Sequence, residues 1–234
     1  MNIAIIIAGG TGKRMLMDIP KQFLSVKDKP VLIYTLEAFQ KNPSVDEICV
    51  VTLPTWIDVV KAYAKQFGIS KLNHICAGGE LGFDSIHNGL LCIADIAKEN
   101  DVVMVHDAIR PMVSQEIIND CITKCREFGN AISVIPCQEV MLQTNDGITS
   151  CCSIPRDNLK RTQTPQAVLY GDFIKLHEDA IAHGNKKSVA TASLLAEEGR
   201  TIHFSLGSEK NIKLTTPEDL DIFKSLLEER ENAK

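Results

Sequence analysis

The sequence predicts an α/β fold: a three-layer, mostly parallel twisted sheet with helices on both faces and a β-arm protruding from it. Three observations lead there. Short apolar runs alternate with helix-like segments along most of the chain. Those runs are nearly continuous rather than alternating, as expected of strands covered on both faces. The alternation breaks between residues 138 and 165, where Asn145-Asp146-Gly147 separates two strand-like stretches and signals a hairpin.

The elements follow in order. Strand-like runs are Ile3–Ala8, Glu47–Thr52, His74–Ala77, Val102–His106 and Ala131–Pro136. Between them lie helix-like runs at Val31–Gln40, Trp56–Phe67, Asp84–Ala97 and Gln115–Phe128. Strand, helix, strand at this spacing implies right-handed crossovers and parallel pairing. Val140–Gln143 and Ile148–Ile154 then form the expected arm, about residues 138–160, joined by a tight Asp-Gly turn. A lone hairpin is marginal in water, so this one is expected to pack against something, a second copy of the chain being the natural candidate. Helices resume at Gly171–His183 and Lys187–Glu198, a strand at Thr201–Ser205, and a closing helix at Pro217–Glu229. Thr216-Pro217-Glu218-Asp219 opens that last helix with a cap, a first-turn proline and acids against the dipole. No linker or repeat interrupts the chain, and 1–234 reads as one domain.

The first strand runs into Ala8-Gly9-Gly10-Thr11-Gly12-Lys13-Arg14-Met15, followed by Pro20-Lys21-Gln22. Glycines let a backbone approach an anion closely and turn N–H groups toward it. Arg14 and Lys21 then have the charge to neutralise a triphosphate. The spacing fits neither the Walker loop nor the dinucleotide fingerprint. In a mostly parallel sheet, ligands sit beyond the carboxyl ends of the strands. The glycine loop and His106-Asp107 both lie at such ends, so the fold brings them to one rim.

With 44% hydrophobic and 24% charged residues, the 234-residue chain has the balance of a globular protein. A net charge of −5 argues against a nucleic-acid surface and suits a locally basic pocket for a small anion. No apolar run reaches membrane-span length and no signal-peptide pattern opens the chain, so no membrane contact and a cytoplasmic location are expected. Eight cysteines lack any C-x-x-C spacing and are expected to be free. Cys49, Cys76 and Cys92 read as small core hydrophobes. Cys121 and Cys125 share a helix face without a nearby histidine.

Five segments, in order and suitably spaced from residue 3 to about 228, carry a family resemblance. They are the glycine loop with Pro20-Lys21-Gln22-Phe23-Leu24, Gly78-Gly79 with Asp84-Ser85-Ile86, His106-Asp107-Ala108-Ile109-Arg110-Pro111, Gln163-Thr164-Pro165-Gln166, and Asn211 through Leu220. Together they resemble the cytidylyltransferases that activate sugar-alcohol phosphates, acting on 2-C-methyl-D-erythritol 4-phosphate or D-ribitol 5-phosphate. The resemblance implies a Rossmann-like nucleotidyltransferase fold and transfer of CMP from CTP to a polyol phosphate, with release of pyrophosphate. Such chemistry needs positioning and charge neutralisation more than a strong base.

The resemblance also implies roles. Arg14, Lys21 and Lys213 are the catalytic cations. Ala8, Gly9, Gly10, Thr11 and Gly12 hold the triphosphate, and Gly78, Gly79 and Ser85 the cytosine and ribose. Asp107 binds Mg²⁺, which takes one or two carboxylates plus phosphate oxygens. Arg110, Arg156 and Thr164, with Asp107, hold the acceptor. His106 is a packed neighbour of the metal carboxylate, since Mg²⁺ prefers oxygen. Structural alternatives stand beside these roles: a helix cap for Asp107 or Ser85, an ion pair for Arg110, a solvated cation for Arg156.

The chain departs from the methylerythritol pattern at Gly82, where many members carry Arg, and at Val189-Ala190-Thr191-Ala192-Ser193, where that branch has Thr-Asp-Glu-Ala-Ser. Lost hydrogen-bonding groups change which acceptor is matched. Trp56-Ile57-Asp58 and Ser153-Ile154-Pro155 resemble the ribitol phosphate branch, so D-ribitol 5-phosphate is the expected acceptor, with methylerythritol phosphate the alternative. Another sugar-phosphate nucleotidyltransferase, or a non-catalytic nucleotide-binding homologue, stays open at this point.

Overall fold

The computed structural model describes residues 1–10, 19–188 and 190–232. Arg14, Thr11 and Gly12 lie outside the described residues, as does Val189. The strands are β1 (Asn2–Ala8), β2 (Ser25–Val26), β3 (Lys29–Pro30), β4 (Glu47–Thr52), β5 (Leu72–Ala77), β6 (Val102–Asp107), β7 (Asn130–Pro136), β8 (Met141–Gln143), β9 (Cys152–Ile154), β10 (Lys160–Leu169) and β11 (Phe204–Leu206). The helices are α1 (Val31–Lys41), α2 (Ile57–Gln66), α3 (Gly82–Cys92), α4 (Gln115–Phe128), α5 (Tyr170–Ala182), α6 (Thr191–Glu197) and α7 (Pro217–Asn232). Among the described residues, seven strands form one sheet in the order β11-β7-β10-β6-β1-β4-β5.

β1 shows why the sheet has three layers. Its even residues Ala4 and Ile6 are buried with Leu32, Ile33 and Phe39 of α1 and Ile118 of α4. Its odd residues Ile3 and Ile5 are buried on the opposite face with Phe83 and Leu90 of α3 and Phe173 of α5. Strand side chains alternate between faces, so an unbroken apolar run fills both. Each fully buried isoleucine contributes roughly 1.5–3 kcal/mol. A third cluster seats α7 through Phe223 and Leu227 on Tyr34, Ile109 and Leu214.

Pairing is parallel for β1–β4, β1–β6, β4–β5 and β7–β11. β10 runs antiparallel between β6 and β7. The order also fixes the ligand crevice. The chain steps outward from β1 to β4 to β5, then returns to lay β6 on the other side of β1. Connections diverge at that seam, and an open α/β sheet leaves a crevice there beyond the strand ends.

Four sequence expectations need correction. β10 is absent from them because its residues are polar and interrupted by Pro165. The strand accommodates the proline at an irregularity, with the register to β7 shifting between Thr162 and Gln166. The arm is a hairpin, but not a tight one. Met141 pairs with Ile154 and Gln143 with Cys152, leaving residues 144–151 as the loop. Asp146 organises that loop, accepting from the N–H groups of Ile148 and Thr149 at 2.9 and 2.8 Å and from the Thr144 hydroxyl at 2.9 Å. An Asx-type bond satisfies the backbone locally and removes the need for strand pairing up to the turn. α3 ends at Cys92 rather than continuing to Ala97, and α6 begins at Thr191 rather than Lys187. By contrast α4 matches its expected bounds, because Ser114 caps it, its Oγ accepting from Ile117 N–H at 3.3 Å. Gly129 closes it at φ 85°, where a left-handed C-cap favours glycine.

Candidate active site

At the seam, β1 and β6 run parallel in register, with Ile7 opposite Asp107. Gly9 and Gly10 therefore leave the sheet beside the Asp107 carboxylate. Gln22, almost wholly buried, ties this exit to the next turn: its Nε2 donates to the carbonyls of Ala8 at 2.6 Å and Gly10 at 2.9 Å. Phe23 follows in the same turn and stacks on Trp56 with ring centroids 4.1 Å apart. These contacts fix the short helical turn Lys21–Phe23 against the loop, and Lys21 is held at the cavity wall.

Asp107 is a charged hub. Lys213 Nζ lies 3.1 Å from each carboxylate oxygen, although more than a hundred residues separate the two in sequence. Arg110 Nε donates to Oδ2 at 3.1 Å, and Arg110 Nη1 to the Asn211 carbonyl at 2.8 Å. Burial works against the Asp107 carboxylate, but Lys213 and then Arg110 outweigh it and hold its pKa below the usual aspartate value. The group therefore stays ionised across the neutral range.

A hydrogen-bonded chain behind Asp107 fixes its backbone. The β6–β10 ladder ends at Gln166 opposite Val105, two residues short of Asp107. Thr164 Oγ1 takes over there, accepting the Asp107 N–H at 3.1 Å. The same hydroxyl lies 3.0 Å from His106 Nδ1, and His106 Nε2 lies 3.2 Å from the Arg110 carbonyl. A carbonyl only accepts, so Nε2 carries the proton and Nδ1 accepts from Thr164. His106 is fully buried, and burial pushes its pKa down to about 4, so the ring is neutral as that chain requires.

The opposite wall comes from the end of β5 and the start of α3. Ser85 Oγ accepts the Gly79 N–H at 3.1 Å, and Asp84 Oδ2 accepts the Leu81 N–H at 3.1 Å. A Cβ on Gly79 would stand 2.1 Å from Cβ of Asp84, so only glycine fits. The first turn of α3 lines the cavity through Gly82 and Ser85, and the N-terminal end of a helix favours anions.

These walls enclose a cavity of about 380 Å³, within the range of small-molecule sites. Of the residues expected at the site, Ala8, Gly9, Gly10, Lys21, Gly79, Ser85, Asp107 and Lys213 line it. Gly78 sits behind the wall, where a Cβ would meet Ser85 Oγ at 3.0 Å. Arg110 and Thr164 do not line the cavity. Their polar atoms are engaged on Asp107, Asn211 and His106. Arg156 is exposed at the base of the arm, its Nη1 donating to the Gln138 carbonyl at 3.2 Å, and is not brought to the cavity of its own chain. Sequence reasoning gave no site role to Gln22, Glu80, Leu81 or Asn211. Gln22 and Asn211 stood inside the quoted motifs, which was the available signal; Glu80 and Leu81 carried none.

The family model for IspD, 2-C-methyl-D-erythritol 4-phosphate cytidylyltransferase, matches residues 2–229. The chain is 41% identical over 233 residues to a ribitol-5-phosphate cytidylyltransferase of Lacticaseibacillus paracasei, covering 99% of this chain and 100% of that protein. It is 38% identical to a 2-C-methyl-D-erythritol 4-phosphate cytidylyltransferase of Clostridium botulinum, covering 97% of each. Among solved structures, 4-diphosphocytidyl-2C-methyl-D-erythritol synthase of Anaerococcus prevotii superposes with a TM-score of 0.82 at 24% identity, covering 97% of this chain and 96% of that one. The 2-C-methyl-D-erythritol 4-phosphate cytidylyltransferase of Francisella tularensis does so at 0.77 and 31%, covering 95% and 98%.

Proposed function

The chain belongs to the IspD family of cytidylyltransferases, and on that footing we propose that it transfers CMP from CTP to D-ribitol 5-phosphate, giving a CDP-polyol and pyrophosphate. An oxygen of the acceptor phosphate attacks the α-phosphorus of CTP, and the bond to the pyrophosphate breaks on the opposite side. The acceptor phosphate is already anionic, so the protein's task is alignment and charge.

The observation that carries this reading is the convergence of Lys21, Lys213 and Asp107 on one cavity from three distant stretches of chain. Lys21, with Arg14, neutralises the triphosphate and the departing pyrophosphate, and Lys213 the attacked phosphate. Gly9, Gly10 and the following loop residues Thr11 and Gly12 cradle the triphosphate. Gly78, Gly79 and Ser85 hold the base and ribose. Among the described residues, Asp107 is the one strand-end carboxylate in the cavity wall, and its ionised oxygen suits Mg²⁺, which when bound offsets charge on phosphate oxygens. Arg110 and Thr164 orient Asp107 from behind the cavity wall. Arg156 serves an acceptor only by crossing to a second copy, which fits an exchanged arm. The arm leaves Val140, Leu142 and Ile148 76%, 60% and 89% exposed, an apolar surface that a twofold partner would cover. No described helix is long and apolar enough to cross a membrane, and we place the enzyme in the cytoplasm, where its nucleotide is made.

The choice of acceptor rests on the 41% relative and on the departures at Gly82 and residues 189–193. Pyrophosphate release tests it, with CTP, Mg²⁺ and either polyol phosphate. D-Ribitol 5-phosphate is expected to give a kcat/KM about tenfold or more above 2-C-methyl-D-erythritol 4-phosphate, the scale of a few hydrogen bonds at the acceptor. The reverse order would assign the methylerythritol reaction, and equal use of UTP would overturn the cytidyl specificity.

A further inference from the structure

Three thiols that look unrelated in sequence meet behind the base-side wall of the cavity. Cys49 on β4, Cys76 on β5 and Cys92 at the end of α3 place their sulfurs within 4.8 Å of one another. They are free thiols; Cys49 is fully buried and the other two are half-buried, which leaves a side open to solvent. Among the described residues this is the one group of three or more cysteine, histidine or carboxylate ligands so closely drawn together. His74 stands next to it. It pairs with Cys49 in the β4–β5 register and precedes Cys76 by two residues, so strand alternation puts it on the Cys76 face.

We propose that Cys49, Cys76 and Cys92 form a site for one thiophilic divalent cation of the zinc type, with His74 or a water as the fourth ligand. Three thiolates and an imidazole are a set that such ions take in tetrahedral geometry. A Zn–S bond of about 2.3 Å sets S···S separations of about 3.8 Å in a tetrahedron, so the sulfurs need close by only about an ångström. Each thiol releases its proton to solvent as it coordinates. Mg²⁺, which takes oxygen, does not compete here.

The site has a consequence for the cavity. α3 carries Ser85 and Gly82 at one end and Cys92 at the other. Asn88 on the same helix donates to the Ala77 carbonyl at 3.1 Å, and its own carbonyl lies 3.6 Å from Cys76 Sγ. A cation joining Cys92 to β4 and β5 therefore clamps the helix that forms the base-side wall.

The test is a Co²⁺ titration of the reduced, full-length protein. A thiolate-to-metal charge-transfer band is expected to saturate at one ion per chain, to disappear in Cys76→Ser and in Cys92→Ser, and to persist in the Cys151→Ser/Cys152→Ser double variant and in Asp107→Asn. No variant is needed for the companion measurement: alkylation mapped by mass spectrometry, where Zn²⁺ is expected to protect Cys49, Cys76 and Cys92 and leave Cys151 and Cys152 reactive. Absence of the band, its survival in the Cys76→Ser/Cys92→Ser double variant, or a disulfide within the trio in place of bound metal would overturn the proposal.

Discussion

Asp107 holds three neighbours in tension. Lys213 and Arg110 keep it ionised, Thr164 fixes its backbone, and a divalent cation would compete with Lys213 for the same oxygens. Asp107→Asn removes the charge but not the shape. Its expected result is a Mg²⁺ titration of activity shifted to higher concentration, with the maximum rate also lowered; an unchanged titration would remove Asp107 from the metal site. The buried histidines add a pH dependence. His177 is fully buried among Phe83, His87 and Phe173, with neither ring nitrogen partnered among the described residues. Burial, with help from His87, lowers its pKa from 6.5 to about 3. The folded state holds it neutral, so the unfolded chain takes up the proton first. Stability is full above about pH 6.5 and is lost as pH falls toward the folded value, by about 2 kcal/mol near pH 5. His106, lowered to about 4, acts in the same direction. Denaturant midpoints measured across that window should flatten in His177→Leu, and an unaltered slope would show that the ring does not govern acid lability.

Elements differ in how openly their residues announced them. β1, β4 and α4 are legible because one physical signal dominates each: continuous apolar burial in the strands, a cap and a closing glycine on the helix. β10 is hidden because Lys160 to Gln166 look like a polar loop, and only pairing makes them a strand: Lys160–Thr162 on β7, and Gln166 onward on both β6 and β7. The arm is legible as a hairpin but not in its loop, where the Asp146 carboxylate outcompetes strand pairing. Its exposed side chains lead to an expectation about assembly. The protein should sediment at twice its 25.8 kDa chain mass, and Val140→Asp with Ile148→Asp should leave a monomer with most activity lost. A wild-type monomer with full activity would contradict the exchanged arm.

Across the molecule, topology does what sequence order cannot display. The return of β6 to the side of β1 carries Asp107 to the glycine loop, and the path from α6 through β11 delivers Lys213 to the same carboxylate. Lys21, Asp107 and Lys213 stand out in the motifs because their residue types match phosphate chemistry, and all three line the cavity. The cysteine trio gave nothing away, because its members sit on three elements with no motif spacing and meet only once the sheet is stacked. Arg156 reads as a site residue in sequence yet stands exposed on the arm, away from the cavity of its own chain. The net charge of −5 alongside a lysine-bearing cavity is consistent with a protein that concentrates its cations where an anion must bind.

Lys21→Ala decides whether these charges stabilise the reacting phosphates or merely retain the nucleotide. Turnover should be measured as pyrophosphate release at saturating CTP, Mg²⁺ and polyol phosphate, with CTP affinity determined separately by equilibrium binding. Loss of one preorganised charge donor should lower kcat about a hundredfold or more while CTP affinity changes only a few-fold. A near-normal kcat with sharply weakened CTP binding would contradict the account.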